Sequence, residues 1–314
     1  MSEKLSQPQI NIFRRTIYSY YKKYGRILPW RQTHDPYKII VSEIMLQQTQ
    51  VDRVIPKYER WIKIFPDFLT LAKAPLKKIL KEWRGLGYNR RAINLKRLAE
   101  IIVRAYINTP LPNDPKILET LPGIGPHTAG SIAAFAFNQP VTFIETNIRT
   151  VFIHYFFQSG RANSPLEGGS GGVRLLRGRL SNGSQRKGLT PPGEPPSRGD
   201  LVSDADIMPL VEQTLDRKDP RRWYNALMDY GVYLKKLHKN PSRRSAHYIK
   251  QSKFEGSNRQ LRGMILKCLV THRKMTIREI TSEISGDKEM VEKNLQQLTA
   301  EGFLKITGKK YQLS

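Results

Sequence analysis

The chain has 314 residues, and 53 lysines and arginines against 27 aspartates and glutamates give it a formal net charge of +26. Such a charge is unusual for an enzyme of small metabolites and favours a polyanionic partner, most often nucleic acid. A basic protein without that partner, or a membrane-surface binder, is the alternative. The single cysteine, Cys268, excludes an intramolecular disulfide and any zinc or iron–sulfur site built from cysteines.

The sequence has no secretory signal and no apolar run long enough to cross a bilayer. We therefore expect a protein of the cytoplasm, associated with the nucleoid, with no membrane partner. We also expect it to act as a monomer.

Apolar residues recur at helical spacing along most of the chain and predict an all-α core. Val141 to Ile144 have the composition of a strand-like lead-in to one of the helices. The predicted helices cover residues 8–25, a segment that opens at Pro36, then 51–64, 76–83, 90–106, 115–121, 126–137, a segment that ends at 157, 204–216 and 220–237.

Two segments interrupt this pattern and set the predicted domain boundaries. Residues 159–203 are rich in Gly, Ser, Pro and Arg and predict a flexible insertion. Residues 239–259 form a polar, basic linker. The helical core therefore comprises residues 1–158 and 204–238.

Residues 260–314 have a different character. Helical patterns at 260–270 and 287–300 flank a third helix that Thr276 is placed to cap. Alternating residues on either side of Thr307-Gly308 predict a hairpin. Three helices and a two-stranded wing predict a small C-terminal winged-helix (α+β) domain.

A glycine turn joins the predicted helices at 115–121 and 126–137. Its sequence is LPGIG at 121–125, followed by Pro126, which is favoured at a helix start. Backbone N–H groups at Gly123, Gly125 and Thr128 can approach phosphate oxygens closely, because glycine has no side chain in the way. Helix, Gly-x-Gly turn and helix together make a helix-hairpin-helix pattern that grips a nucleic-acid backbone without reading its sequence.

Several further motifs combine with this hairpin: LPWR at 28–31, PY at 36–37, SEIMLQQTQV at 42–51 and GLGY at 85–88. With them, residues 26–158 and 204–236 resemble the adenine DNA glycosylase (MutY) branch of the helix-hairpin-helix DNA glycosylase superfamily. The resemblance covers roughly half of the chain. It implies an all-α helix-hairpin-helix glycosylase core that flips a base from duplex DNA and hydrolyses its N-glycosidic bond.

The resemblance assigns the catalytic acid to Glu43. A carboxylic acid beside a flipped purine can protonate a ring nitrogen and make the base a better leaving group. The apolar neighbours Ile44 and Met45 can raise its pKa if they line the pocket. A surface glutamate in a salt bridge is the alternative interpretation.

Glu145 falls where the family has an aspartate that stabilises positive charge on the sugar. Two carboxylates that flank a glycosidic bond suit an oxocarbenium-like transition state. The extra methylene of glutamate puts the identity of this group in doubt, and a carboxylate that caps a helix start is the alternative. Asn147 matches an asparagine that positions the water, or caps the same helix.

The base pocket implied by the resemblance contains Trp30, Arg31 and His127. An aromatic face can stack on a base and an arginine can read an acceptor, although Trp30 equally suits a core position. His127 replaces the lysine with which bifunctional relatives attack the sugar. It cannot form that Schiff base, so we expect a monofunctional enzyme, unless Lys116 or another lysine acts instead.

The implied DNA contacts extend beyond the hairpin. Gln48 and Tyr88 match wedges that fill the base stack as the target leaves. Many relatives hold a four-cysteine iron–sulfur cluster after the helix that ends near Leu234, and here that stretch is a basic run. Its lysines and arginines, Arg243 and Arg244 among them, are expected to contact phosphate directly, without a cofactor or metal.

We therefore expect a base excision repair glycosylase that removes mispaired adenine from double-stranded DNA. The family usually ends in a domain that senses oxidised guanine, and the winged helix stands in its place. Three alternatives stay open: a glycosylase for thymine or uracil opposite guanine, a bifunctional enzyme resembling endonuclease III, and a DNA-binding protein without catalysis.

Overall fold

The computed structural model describes residues 4–106, 111–157, 201–238, 240–249 and 253–314. The chain forms two compact units, one made of residues 1–27 with 133–249 and the other of residues 28–132 with 250–314. Each unit thus takes part of the predicted core, and the C-terminal segment groups with residues 28–132. Most of the predicted insertion, residues 159–200, lies outside the described residues.

The described chain is mostly helical, and its helices follow the apolar periodicity of the sequence. The bounds are α1 (Gln7–Tyr24), α2 (Pro36–Leu46), α3 (Val51–Ile64), α4 (Phe68–Lys73), α5 (Leu76–Trp83), α6 (Arg90–Tyr106), α7 (Pro115–Leu118), α8 (Pro126–Phe137), α9 (Thr146–Phe156), α10 (Asp204–Thr214), α11 (Pro220–Leu237), α12 (Asn258–Thr271), α13 (Ile277–Ile284) and α14 (Lys288–Ala300). Short 3-10 helices add Pro29–Arg31 and Pro241–Arg244.

Side-chain caps start several of these helices where the sequence places a short polar residue. Asp35 accepts a hydrogen bond from the backbone N–H of Tyr37 at 2.9 Å, and Asp114 accepts one from Lys116 at 2.9 Å. Each cap satisfies a backbone donor that the first helical turn leaves unpaired. The six-residue α4 was not predicted, because it is too short to show a period.

The strand-like lead-in predicted at 141–144 is wrong. These residues form no strand in the described part of the chain, and Phe143 and Ile144 are buried as anchors ahead of α9. Phe143 packs on Tyr224 of α11 with ring centroids 4.1 Å apart. β-Branched and aromatic residues suit such a buried anchor as well as they suit a strand.

The core of the first unit forms around Phe13 of α1. This ring lies 5.1–5.8 Å, centroid to centroid, from four other aromatic rings, those of Phe152, Tyr155, Phe156 and Trp223. Aromatic residues contribute large apolar areas and favour such tilted and edge-on contacts. The cluster joins α1, α9 and α11, and so fixes the start of α9.

The C-terminal part of the second unit has three helices and an antiparallel sheet, which fits a winged-helix-like domain. Strands β1 (Met275–Thr276), β2 (Leu304–Thr307) and β3 (Lys310–Leu313) have the order β1-β3-β2. The predicted hairpin is β2–β3, with Gly308 at φ +62° in its turn. The two-residue β1, which precedes α13, makes a third strand that the sequence did not predict.

Glu301 ties this C-terminal part to α6 within the same unit. Its carboxylate forms ion pairs with Arg262 of α12 at 2.6 Å and with Arg90 of α6 at 2.7 Å. Arg97 donates to its backbone carbonyl at 3.0 Å. Charge-assisted hydrogen bonds of this kind add geometric specificity to the packing of α12 beside α5 and α6. No helix among the described residues is long and apolar enough to span a membrane.

Two helical glycines make a matched test of close packing. A Cβ at Gly231 of α11 would lie 2.4 Å from the carbonyl oxygen of Asn147, whereas nothing lies within 4 Å of one at Gly263 of α12. Gly231→Ala is expected to cost about 1–3 kcal/mol through overpacking. Gly263→Ala is expected to gain about 0.5–1 kcal/mol from helix propensity. Thermal unfolding followed by circular dichroism measures both, and equal midpoints would contradict the packing described.

Candidate active site

The hairpin turn between α7 and α8 presents its glycines to solvent. Leu121 and Ile124 are buried, whereas Gly123 and Gly125 are exposed, and Gly123 has φ +83°. A positive φ at this point favours glycine. The apolar anchors hold the turn while its backbone stays accessible, which is the geometry expected for contact with phosphate.

Hydrogen bonds join the end of α2 to this hairpin. The Gln47 side chain donates to the carbonyl of Gly123 at 3.3 Å and to the hydroxyl of Thr128 at 3.2 Å. Gln48, the next residue, is exposed and has φ +54°. Its left-handed backbone is uncommon for a side chain other than glycine and marks a constrained loop. The predicted wedge therefore projects from a loop that is held to the hairpin.

Arg91 of α6 organises the two loops that carry the predicted wedges. Its side chain is nearly buried, and burial lowers its pKa to about 10. It also donates to the hydroxyl of Thr49 at 3.0 Å. Its guanidinium reaches five backbone carbonyl oxygens at 2.5–3.1 Å: those of Ile44, Met45, Gln47, Leu86 and Gly87.

Tyr88 ends the second of these loops, residues 85–88, and two arginines contact its ring. Its backbone has φ +47°. Arg91 lies 5.5 Å and Arg259 of α12 lies 4.9 Å from its ring centroid, and Arg259 also donates to its hydroxyl. Cation–π contacts on an aromatic face stabilise its position. The C-terminal part of the chain thus contributes directly to the orientation of a predicted DNA wedge.

Glu43 lies on α2, half-buried, between the fully buried side chains of Ile44 and Met45. The hydroxyl of Ser131, on α8, donates to Glu43 Oε2 at 2.6 Å. Ser131 is itself only 3% exposed. The carboxyl group is therefore positioned by a buried partner at the middle of the second hairpin helix.

The three residues assigned to the base pocket differ in their surroundings. Trp30 is buried and packs edge-on against Tyr58 at 5.4 Å, which supports the core interpretation for this residue. Arg31 is half-buried, and His127 is exposed at the second residue of α8. All three, like Glu43 and the hairpin, belong to the second unit.

Glu145 lies in the first unit and is the N-cap of α9. Its Oε1 accepts hydrogen bonds from the backbone N–H groups of Asn147 at 2.8 Å and Ile148 at 3.1 Å, and its Oε2 accepts one from the Asn147 amide at 3.2 Å. The longer side chain therefore folds back onto its own helix start. Burial raises the pKa of this carboxyl, and Lys235 and the backbone donors oppose that shift.

Lys235 of α11 points inward and not towards solvent. Its ammonium donates to Asn147 Oδ1 at 2.8 Å, and burial lowers its pKa while Glu145 opposes the shift. This stretch does not fit an iron–sulfur cluster, because Lys235, Lys236 and His238 are not thiolate ligands and Cys268 lies buried in α12. Of the two predicted phosphate contacts that follow, Arg243 is exposed, whereas Arg244 donates to the carbonyl of Phe157.

The hydrogen-bond partners of three residues, Ser131, Lys235 and Arg91, were not predicted from the sequence. Ser131 and Lys235 give no signal in a single sequence, because their partners are distant along the chain. Arg91 gives a weak one, since it lies on the apolar face of α6 with Leu95, Leu98 and Ile102 at helical spacing. An arginine in that stripe indicates a buried charge that must find acceptors.

Several of the motifs described above lie in a region of the chain that is similar to a known protein family. Residues 41–167 match the model of the HhH-GPD superfamily base excision DNA repair proteins. This part of the chain is similar to that family. The matched region includes Glu43, the hairpin, Glu145 and Asn147.

Relatives of the chain are named adenine DNA glycosylase. One from Buchnera aphidicola subsp. Baizongia pistaciae is 45% identical over 146 residues, which are 46% of this chain and 41% of that protein. One from Mycobacterium tuberculosis is 38% identical over 148 residues, which are 47% of this chain and 48% of that protein. The chain therefore spans less than half the length of these relatives. One from Mycolicibacterium smegmatis is 28% identical over 309 residues, 92% of this chain and 94% of that protein.

A solved structure supports the fold independently. The structure of a thermostable thymine-DNA glycosylase aligns with a TM-score of 0.54 at 23% identity, over 72% of this chain and 87% of that one. The likeness confirms the predicted helix-hairpin-helix fold.

Arg91 and its neighbour Arg90 provide a test of how the wedge loops are held. A lysine ammonium has three donors, so Arg91→Lys leaves about half of the six acceptors without a partner. At about 1 kcal/mol each, the loss of stability is on the order of 3 kcal/mol. Arg90→Lys keeps the charge at a side chain that is 64% exposed and is expected to change stability by no more than about 0.5 kcal/mol. Urea denaturation measures both, and equal losses would show that Arg91 does not hold the loops.

Proposed function

We propose that this protein is a base excision repair glycosylase that removes mispaired adenine from double-stranded DNA by hydrolysis of the N-glycosidic bond. The observation that carries the proposal is the place of Glu43. It lies half-buried beside the hairpin, 2.6 Å from the Ser131 hydroxyl, within residues 41–167, which match the base excision DNA repair family.

The chemistry follows from the two carboxylates. Glu43, as the neutral acid, donates a proton to a ring nitrogen of the flipped adenine, and the base then leaves as a neutral molecule. Glu145, as the anion, stabilises the positive charge that develops on the sugar. Asn147 orients the water that attacks the sugar carbon, and the products are free adenine and an abasic site.

DNA binding rests on contacts that do not depend on sequence. The exposed backbone at Gly123 and Gly125 binds phosphate oxygens, supported by a net charge of +26. Gln48 and Tyr88, each in a left-handed backbone conformation, fill the space that the flipped base leaves. The protein acts as a monomer in the cytoplasm, on the nucleoid, and needs no metal or cofactor.

His127 supports a monofunctional reaction. An imidazole at this hairpin position cannot form a Schiff base with the sugar, so the abasic strand is left intact. An enzyme that also cuts the strand is the alternative, and borohydride trapping on abasic DNA detects its covalent intermediate.

Substitution of Glu43 tests the proposal. Glu43→Gln removes the acidic proton but keeps the shape of the side chain. It is expected to lower the single-turnover rate of adenine release at least 100-fold, within the usual range of about 10²–10⁴ for general acid catalysis. Affinity for the duplex, measured by fluorescence anisotropy, is expected to stay nearly unchanged.

Glu59→Gln is the matched control, because Glu59 is exposed on α3 of the same unit and its replacement removes the same charge. It is expected to leave the rate unchanged. If Glu43→Gln lowered affinity and activity together, the role assigned to Glu43 would be wrong. If it released adenine at the normal rate, the proposed chemistry would be refuted.

A further inference from the structure

The carboxylate of Glu145 belongs to a short chain of polar contacts that ends in the half-buried ammonium of Lys235. Lys235 Nζ donates to Asn147 Oδ1 at 2.8 Å, and Asn147 Nδ2 donates to Glu145 Oε2 at 3.2 Å. All three side chains lie in the first unit, on α11 and at the start of α9. Lys235 is therefore linked to the carboxylate through a single amide.

This chain fixes which way the Asn147 amide points. A lysine ammonium can only donate hydrogen bonds, so it requires the amide oxygen, and the amide NH₂ then faces the carboxylate. A flipped amide would place its oxygen against Glu145 and its NH₂ against Lys235, two repulsive contacts. An ionised Glu145 and the ammonium favour the same orientation of the amide. The ammonium thus selects the orientation that suits an ionised Glu145.

The backbone of α11 permits this contact. Gly231 lies against Asn147, where an added Cβ would be 2.4 Å from the carbonyl oxygen. Lys235 follows Gly231 by four residues and so lies on the same face of the helix. The close approach at Gly231 brings the first carbons of the Lys235 side chain near enough for its ammonium to reach the amide.

Several other charged groups around α9 have partners of their own among the described residues. This helix packs against α10, α11 and the 3-10 turn at 241–244. Arg149 pairs with Asp204 at 2.6 Å, Arg244 donates to the Phe157 carbonyl, Asp229 pairs with Arg26 at 2.7 Å, and burial and the neighbouring His238 lower the pKa of His154 to about 4, so that it is neutral. Among the described residues, Lys235 is a cation whose charge opposes the effect of burial on Glu145.

We propose that Lys235 is a positioning residue for the sugar-facing carboxylate: it orients Asn147 towards Glu145 and keeps Glu145 ionised. The inference rests on the proposed function, in which Glu145 must be an anion. It replaces the expectation that Lys235 contacts phosphate. A nearby positive charge favours the anionic form of a carboxylate that is partly removed from water, and Lys235, linked to Glu145 through Asn147, supplies that charge.

The experiment compares Lys235→Met with Lys236→Met. Both remove one positive charge at adjacent positions of α11, but Lys236 is exposed. Single-turnover adenine release is measured from pH 4.5 to 9, a range set to span the about 1-unit shift expected on loss of a nearby opposite charge. In Lys235→Met the acidic limb of the pH–rate profile is expected to move to higher pH by about one unit. At a given pH on that limb, the rate of adenine release is then about tenfold lower. Lys236→Met is expected to keep the acidic limb of the unmodified protein, and Lys235→Arg is expected to restore it.

A second measurement does not depend on activity. The carboxyl carbon of Glu145, labelled with ¹³C and assigned through Glu145→Gln, is titrated by NMR in the same variants. Its pKa is expected to rise in Lys235→Met and to stay unchanged in Lys236→Met. Lys235→Arg reports on the same charge if the methionine variant does not fold.

The outcomes separate the two proposals. If the protein releases adenine but Lys235→Met and Lys236→Met share one pH profile and one Glu145 titration, the role of Lys235 is refuted and the proposed function stands. If both variants instead lose DNA affinity equally and show equally reduced salt dependence, Lys235 is a phosphate contact. If no adenine is released while the Glu145 titration shifts, the electrostatic inference stands and the proposed function fails.

Discussion

The guanidinium of Arg91 is almost removed from water, and its need for acceptors shapes the second unit. A buried charge that lacks hydrogen bonds costs several kcal/mol, so the chain around it must turn carbonyl groups inward. The end of α2 and the loop at 85–88 do so, with contacts at 2.5–3.1 Å. Gln48 and Tyr88 therefore stand in strained, left-handed conformations on loops that share one anchor.

In the first unit, too, charged groups that are removed from water need partners, and here they are a pair of opposite charges. Glu145 and Lys235 are both partly removed from water, burial shifts the pKa of each towards its neutral form, and each opposes the shift of the other. Asn147 links them, and Gly231 lets α11 approach closely enough for the link to form. A carboxylate held by a helix start, an amide and a cation is fixed in place, as the role that we propose for Glu145 requires.

Much of the fold was predictable from the sequence, because amphipathic helices of three or more turns carry their period in the residues themselves. The hairpin was predictable for the same local reason, as was the cap at Thr276. The short α4 and the two-residue β1 are too brief for a pattern, and β1 forms only because β3 offers it a partner.

The candidate site was predictable where a motif marks it, as at Glu43 and Glu145, and not where the partner is distant along the chain. Ser131 is 88 residues from Glu43, and Lys235 is 88 residues from Asn147. Neither pairing follows from local sequence. The division into two units was not predicted either, because the contacts of Arg90, Arg262 and Glu301 group α12–α14 with α5 and α6.

The most direct measurement is a glycosylase assay on four duplexes, each read with and without alkali. The target pairs are adenine opposite oxidised guanine, adenine opposite guanine, thymine opposite guanine and uracil opposite guanine. Cleavage of the adenine strands alone, and only after alkali, is the predicted result. Cleavage without alkali, cleavage at thymine or uracil instead of adenine, or tight binding with no cleavage of any duplex would contradict it.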